Sequence, residues 1–186
     1  MSAFHIKNTG LPGLKHINIK FFQDDRGSFR KFFSSSALPK SGLVGEIKQI
    51  NFSSTKKKGT VRGMHFQHPP FSEIKLVSCI SGSALDVAVD LRKASPTFLQ
   101  WHGQVLSQSN NNALLIPEGF AHGFQALEDN TELLYFHSQE YYPEYEDGVS
   151  PLDLTLKIDW PIEPSYLSDR DSSFDSIGQN YKGIIL

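Results

Sequence analysis

Apolar and polar positions alternate along most of the chain, a period of two that predicts strands rather than helices. Ile17, Ile19 and Phe21 alternate with polar partners and predict a strand, and Asp24-Asp25-Arg26-Gly27 then predicts a turn. The segment from Ile74 to Ile80 leads through Ser81-Gly82-Ser83 into Leu85, Val87, Val89 and Leu91 on one face, with Asp86 and Asp90 on the other, which predicts a hairpin. Asn110-Asn111-Asn112 and Pro117-Glu118-Gly119 punctuate the following strands, and Glu128-Asp129-Asn130 precedes a strand from Thr131 to about Tyr141. Short strands at this spacing predict an all-β barrel or sandwich. The helical pieces are short: one near Ser34 to Leu38, and one around Tyr166 to Phe174 with Ser168 as its N-cap. From Trp160 onward the chain reads as irregular and is expected to wrap the barrel.

Composition narrows the function classes. At 186 residues the chain suits one domain with extensions. We expect an N-terminal arm over 1–41, a barrel over about 42–160 and a C-terminal wrap over 161–186. A net charge of -2 gives no global basic field, so neither nucleic acid nor a membrane surface is an expected partner. The single cysteine, Cys79, excludes an intramolecular disulfide and sits between apolar neighbours that predict a buried, unreactive thiol. No signal peptide or long apolar run is present, which predicts a soluble, cytoplasmic protein. Lys56-Lys57-Lys58-Gly59 reads as a solvated loop tip.

The chemistry sits in the middle third. Arg62-Gly63-Met64-His65, Lys75, Pro117-x-Gly119-x-x-His122 and Tyr135 together offer a base, a cation and an acid. That trio suits proton abstraction beside a carbonyl, where a cation holds the enolate and an acid returns the proton. Pro117-x-Gly119-x-x-His122 has the form of a cupin signature, a turn that carries a histidine to a barrel mouth. The partner signature would supply a His-x-His metal pair, but here Gln67 holds the second position, and a neutral amide is a poor metal ligand beside imidazole, so no metal is expected. By strand alternation His65 and Arg62 point to opposite faces. They can address one ligand only if Gly63 marks a bulge or the ligand is shared across an interface.

These motifs, in order, resemble a known family: Gln49-Ile-Asn51-Phe-Ser53, Arg62-Gly-Met-His65-Phe-Gln67, Lys75-Leu-Val77, Leu85-Asp-Val-Ala-Val-Asp90-Leu-Arg92, Ser95-Pro-Thr-Phe98, Ile116-Pro-Glu-Gly-Phe-Ala-His-Gly-Phe124 and Ile158-Asp-Trp-Pro161 are similar to those of the dTDP-4-dehydrorhamnose 3,5-epimerases. The resemblance runs from about Ile17 to Asp171. It implies a cupin jelly roll with short peripheral helices, a homodimer with N-terminal strand exchange, and no metal or cofactor. By the resemblance His65 is the base, held by Asp171 or, as the alternative, Asp169. Lys75 is the enolate-stabilising cation and Tyr135 the acid. His122 is implied to sit beside the sugar, and Arg26, Gln49, Asn51 and Arg62 to hold the diphosphate and nearby sugar, Arg26 reaching in from the partner subunit. Tyr141 matches an aromatic that stacks on the base.

Two positions depart from that family. Lys31 stands where a glutamate near the nucleobase is usual, and an ammonium can donate but not accept. Phe71-Ser-Glu73-Ile-Lys75 replaces a Gln-Gly or Gln-Ala pair, so Glu73 either pairs with Lys75 or faces water. The expected function is epimerisation of a nucleotide-diphospho-4-keto-6-deoxysugar at C5 and C3, from dTDP-4-dehydro-6-deoxyglucose to dTDP-4-dehydrorhamnose. Rival readings are a mono-epimerase or ketoisomerase on a related dTDP-, CDP- or GDP-keto sugar, a metal-dependent cupin oxygenase, and a sugar-binding module without chemistry.

Overall fold

A computed structural model describes residues 3–35, 46–178 and 181–186. Among these residues the elements in chain order are β1 (Phe4–Asn8), β2 (Lys15–Ile19), β3 (Phe21–Asp24), β4 (Gly27–Arg30), β5 (Gln49–Thr55), β6 (Val61–Gln67) and β7 (Lys75–Ser81). There follow β8 (Ser83–Asp90), β9 (Trp101–Ser107), β10 (Asn112–Ile116), β11 (Phe120–Ala126), β12 (Thr131–His137), β13 (Glu146–Gly148) and α1 (Asp169–Ser173). Ser168 caps α1, its side chain accepting from the Asp171 N–H, as the sequence predicts. The other expected helix is not formed at Ser34 and Ser35, and its remainder lies outside the described residues.

Two sheets face each other, one in the order β1-β2-β10-β7-β12-β5 and the other β13-β6-β11-β8-β9, which is a jelly-roll sandwich. Between them lies a core of small and aliphatic side chains, with Val77, Cys79, Leu114 and Leu133 from one sheet against Ala84, Ala88, Leu106 and Phe124 from the other. The outer face of the second sheet is also covered. Val87, Val89 and Leu91 pack there under Val149 and Leu156 of the segment after β13 and Ile177 of the C-terminal wrap, which is why all eight residues of β8 are buried. Burial pushes the Cys79 thiol up to about 11, a structural cysteine rather than a nucleophile.

Two expectations need correction. Ser81-Gly82-Ser83 is a turn, with Gly82 at φ 70° where an added Cβ would meet Thr131 Oγ1 at 2.8 Å. Yet β7 and β8 do not form a hairpin, because they belong to different sheets. Their apolar residues meet face to face across the core, and packing of both faces outweighs edge pairing. The N-terminal strand expected to pair with a partner subunit is likewise divided at Lys20. Its first part, β2, has both edges filled by β1 and β10 of its own chain. Only β3 and β4, paired with each other as a hairpin, remain free to serve as an arm.

Candidate active site

The sandwich is open on the side where β5 and β13 form sheet edges, and there the interior turns polar. A cavity of about 580 Å³ opens between the sheets. Its walls carry His65 and Arg62 from β6, His122 from β11, Lys75 from β7, Tyr135 and His137 from β12, and Gln49, Asn51 and Ser53 from β5. Tyr141, Glu146 and Arg170 stand at its mouth. The size suits a small organic ligand.

Arg62 and His65 reach the same cavity because β6 bulges. Against β11, His65 is opposite His122 and Arg62 opposite Phe124, so four residues of β6 span three of β11. Gly63 sits in the extra position at φ 126°, where an added Cβ would lie 2.5 Å from Gly123 Cα. Only glycine fits there. The bulge also turns the Gly63 N–H toward Asp171 Oδ2, at 3.2 Å.

Asp171, buried at 4 % exposure, hydrogen-bonds His65 Nε2 through Oδ1 at 2.7 Å. Of the two carboxylates proposed from the sequence it is Asp171, not Asp169, that meets the imidazole. Burial pushes the Asp171 pKa up, but the hydrogen bond and charge of His65, the Gly63 N–H and Ser168 together bring it below the usual carboxylate range. An ionised carboxylate can only accept, so Nε2 carries the proton and Nδ1 is left with its lone pair. The arrangement fixes the tautomer of His65 and leaves Nδ1 able to accept a proton.

Tyr135 faces His65 from the opposite sheet, with its hydroxyl 3.0 Å from Ser53 Oγ. Burial raises its pKa well above the ordinary tyrosine value, keeping the phenol protonated and able to donate. His122 pairs with the fully buried Asp86, Nε2 to Oδ1 at 2.8 Å. Lys75 Nζ lies 3.0 Å from Glu73 Oε1, and the second oxygen of Glu73 accepts from His137 Nδ1 at 2.6 Å. Glu73 therefore pairs with Lys75 and does not face open water.

At the mouth, Gln49 Oε1 accepts from the Tyr141 backbone N–H at 3.0 Å, holding a tyrosine whose ring is half exposed. Glu146 accepts from the Tyr141 hydroxyl at 2.8 Å and from the Arg170 guanidinium. Gln67, at the position a second metal-ligating histidine would occupy, is buried with its amide bonded to Phe71 O, Glu140 O and the Tyr142 N–H. It is a loop anchor facing away from the cavity.

Arg26 and Lys31 are not brought to the cavity of their own chain. Arg26 sits at the tip of the β3–β4 hairpin with its side chain 90 % exposed, paired among the described residues to Asp24. Lys31 follows β4 and is exposed. Three charged or titratable cavity residues, Arg170, Glu146 and His137, went unassigned in the sequence, as did Asp86 behind His122. Arg170 had a signal in its position next to Asp171. His137 had one too, two residues after Tyr135 on the same strand face.

Fold and cavity together define a cupin-type barrel whose interior carries a histidine–aspartate pair on one wall and a buried tyrosine on the other. Residues 8–179 match the family model for dTDP-4-dehydrorhamnose 3,5-epimerase. A dTDP-4-dehydrorhamnose 3,5-epimerase of Shigella flexneri is 40 % identical, covering 90 % of this chain and 92 % of its own. Among solved structures, the dTDP-4-dehydrorhamnose 3,5-epimerase of Bacillus anthracis with TDP and pyrophosphate bound superposes with TM-score 0.90 at 38 % identity, over 94 % of this chain and 100 % of that one. The dTDP-6-deoxy-D-glucose-3,5-epimerase of Legionella pneumophila, in complex with dTDP-4-keto-L-rhamnose, does so with TM-score 0.89 at 39 % identity, over 93 % and 92 %. The chain belongs to the dTDP-4-dehydrorhamnose 3,5-epimerase family.

Proposed function

We propose that the protein epimerises a dTDP-4-keto-6-deoxyhexose at C5 and C3, converting dTDP-4-dehydro-6-deoxyglucose to dTDP-4-dehydrorhamnose, as a cofactor-independent isomerase of deoxysugar synthesis in the cytoplasm. The observation that carries this reading is the placement of His65 and Tyr135 on facing sheets of one cavity. Inversion needs a base on one face of the sugar and an acid on the other, and the two sheets provide them.

The 4-keto group acidifies the protons at C3 and C5. His65 Nδ1 takes one of them, and Asp171 stabilises the imidazolium that results. Lys75, from the side wall, holds the negative charge that collects on the ketone oxygen. Tyr135 returns a proton to the opposite face. His122, anchored by Asp86, borders the sugar, while Arg62, Asn51 and Gln49 line the way out to Tyr141, whose ring offers a stacking face to thymine.

We also propose a homodimer in which the β3–β4 hairpin of one protomer covers the cavity mouth of its partner. The support is an unpaired surface: Phe22 and Phe29 on the hairpin are 59 % and 65 % exposed, and Ile50 and Phe52 on the edge strand β5 are 59 % and 56 % exposed. Exposed aromatics opposite an open sheet edge suit pairing between copies. Arg26 at the hairpin tip then supplies a cation for the diphosphate, and Lys31 lies just beyond it.

The test is product analysis by NMR after incubation with dTDP-, CDP- and GDP-4-keto-6-deoxyhexoses. The proposal expects inversion at both centres with the dTDP sugar. Turnover restricted to another nucleotide, or inversion at one centre alone, would replace it with the corresponding narrower activity.

A further inference from the structure

We infer that Glu73 is a positioning residue that ties the reaction end of the cavity to its nucleotide end, holding Lys75 with one carboxylate oxygen and fixing the tautomer of His137 with the other. This rests on the epimerase reading for its kinetic consequence, though not for its geometry.

Lys75 and His137 are directly opposite each other in the β7–β12 ladder. Both carry nitrogen donors into the same space, and Glu73, from the loop before β7, lies between them. Its oxygens stand 3.0 Å from Lys75 Nζ and 2.6 Å from His137 Nδ1, with about a tenth of each side chain exposed. Burial alone would favour the neutral acid, but Lys75 and His137 outweigh it and bring the Glu73 pKa down to about 2. The group is a carboxylate at every working pH.

A carboxylate accepts and never donates, so His137 Nδ1 must carry hydrogen. In the neutral imidazole Nε2 is then the acceptor, and Asn51 Nδ2 faces it at a long 3.4 Å. Asn51 Oδ1 accepts from Gln49 Nε2 at 2.9 Å, and Gln49 Oε1 accepts from the Tyr141 N–H at 3.0 Å. Both ends fix the sense of this chain, because a backbone N–H can only donate and Glu73 can only accept. Every donor from Tyr141 to His137 points toward Glu73. One carboxylate thus orients the cation proposed for the enolate and, through three side chains, the loop that presents Tyr141.

Glutamine at this position cannot do both. Its amide offers one acceptor and one donor to two donors, so one of Lys75 and His137 loses its partner. If His137 switches tautomer to accommodate the amide, Nε2–H confronts the Asn51 donor and the chain must turn over. A buried ammonium without a carboxylate also favours its neutral form. The remaining charged or titratable groups that line the cavity are Arg62 and His65 from β6, His122 from β11, Tyr135 from β12, and Tyr141, Glu146 and Arg170 at its mouth. The one other carboxylate among them, Glu146, is already engaged by the Tyr141 hydroxyl and the Arg170 guanidinium.

Two measurements on the full-length protein test the inference. Imidazole ¹⁵N NMR reports the His137 tautomer: the wild type should show Nδ1 protonated and Glu73→Gln should show Nε2 protonated. A wild-type Nε2–H tautomer overturns the inference without any variant and without any turnover. The pH profile of kcat on the dTDP-4-keto sugar is the second readout. In Glu73→Gln its alkaline limb should move down by about one unit or more, whereas Glu73→Asp, which keeps the charge, should hold the limb near its wild-type position. A Glu73→Gln profile parallel to wild type would show that Glu73 does not set the cation. If the wild type turns over none of the nucleotide sugars, the epimerase reading fails while the NMR result still decides the role of Glu73.

Discussion

At the floor of the cavity, His65, Lys75, His122 and Tyr135 stand on β6, β7, β11 and β12, each of which is paired on both sides within the chain. Each side chain also has a fixed polar partner: Asp171, Glu73, Asp86 and Ser53. The mouth is different. β5 is a sheet edge with two large apolar residues exposed, and the hairpin that carries Arg26 touches no wall of its own cavity. Proton transfer needs groups held within a few tenths of an ångström, and that end is complete within one chain. Diphosphate and base binding tolerate a looser frame, and in the proposed dimer a second copy finishes that end.

This contrast can be broken first at the floor. His65→Asn should fold normally and lower turnover at least about 100-fold, the scale of a lost general base. Circular dichroism and a steady-state assay check it together. Tyr135→Phe should cost inversion about 10- to 100-fold while proton exchange with solvent persists, because enolisation needs only the base. Comparing exchange with net inversion in the same sample separates the two steps, and equal losses would give Tyr135 another role.

At the mouth, Phe22→Asp with Phe29→Asp should turn a dimer into a monomer by analytical ultracentrifugation. The same variant should raise KM about tenfold through the lost Arg26 contact, leaving the acid–base step in place. A dimer that survives both substitutions would contradict the hairpin as the interface.

The smallest effect concerns stability. Glu73 and Asp171 have folded-state pKa values below their unfolded ones, so the stability they contribute is present above the unfolded values, near 4.5 for Glu73, and is lost as pH falls toward about 2. The melting temperature should therefore fall between pH 5 and pH 3, by about 2–4 °C per kcal/mol lost. Glu73→Gln should flatten that slope. An unchanged slope would mean that the floor pairs do not contribute.

Much of this was legible in the chain. Alternation located the strands, and the parity conflict between Arg62 and His65 called for either a bulge at Gly63 or a ligand shared across an interface; the register shift and positive φ are found at Gly63. Alternation does not say which sheet a strand joins, so β7 and β8 read as a hairpin although they pack face to face. The same limit hid the division at Lys20, since β2 and β3 share one alternating pattern but only β2 finds partners in the main sheet. The partner of His65 lies 106 residues away. Spacing could not reveal it, and only the family resemblance placed Asp171 there. His137 was hidden for a similar reason, because its carboxylate comes from a loop 64 residues earlier that meets β12 only across the sheet.

The most direct test of the central claim is a single incubation of wild-type protein and His65→Asn with dTDP-4-keto-6-deoxyglucose in D₂O, following deuterium at C3 and C5 by NMR. Abstraction by His65 with return of a solvent-equilibrated proton predicts deuterium at both inverted centres for the wild type and near-background incorporation for His65→Asn. Inversion without deuterium, or undiminished incorporation in a folded His65→Asn, would contradict it.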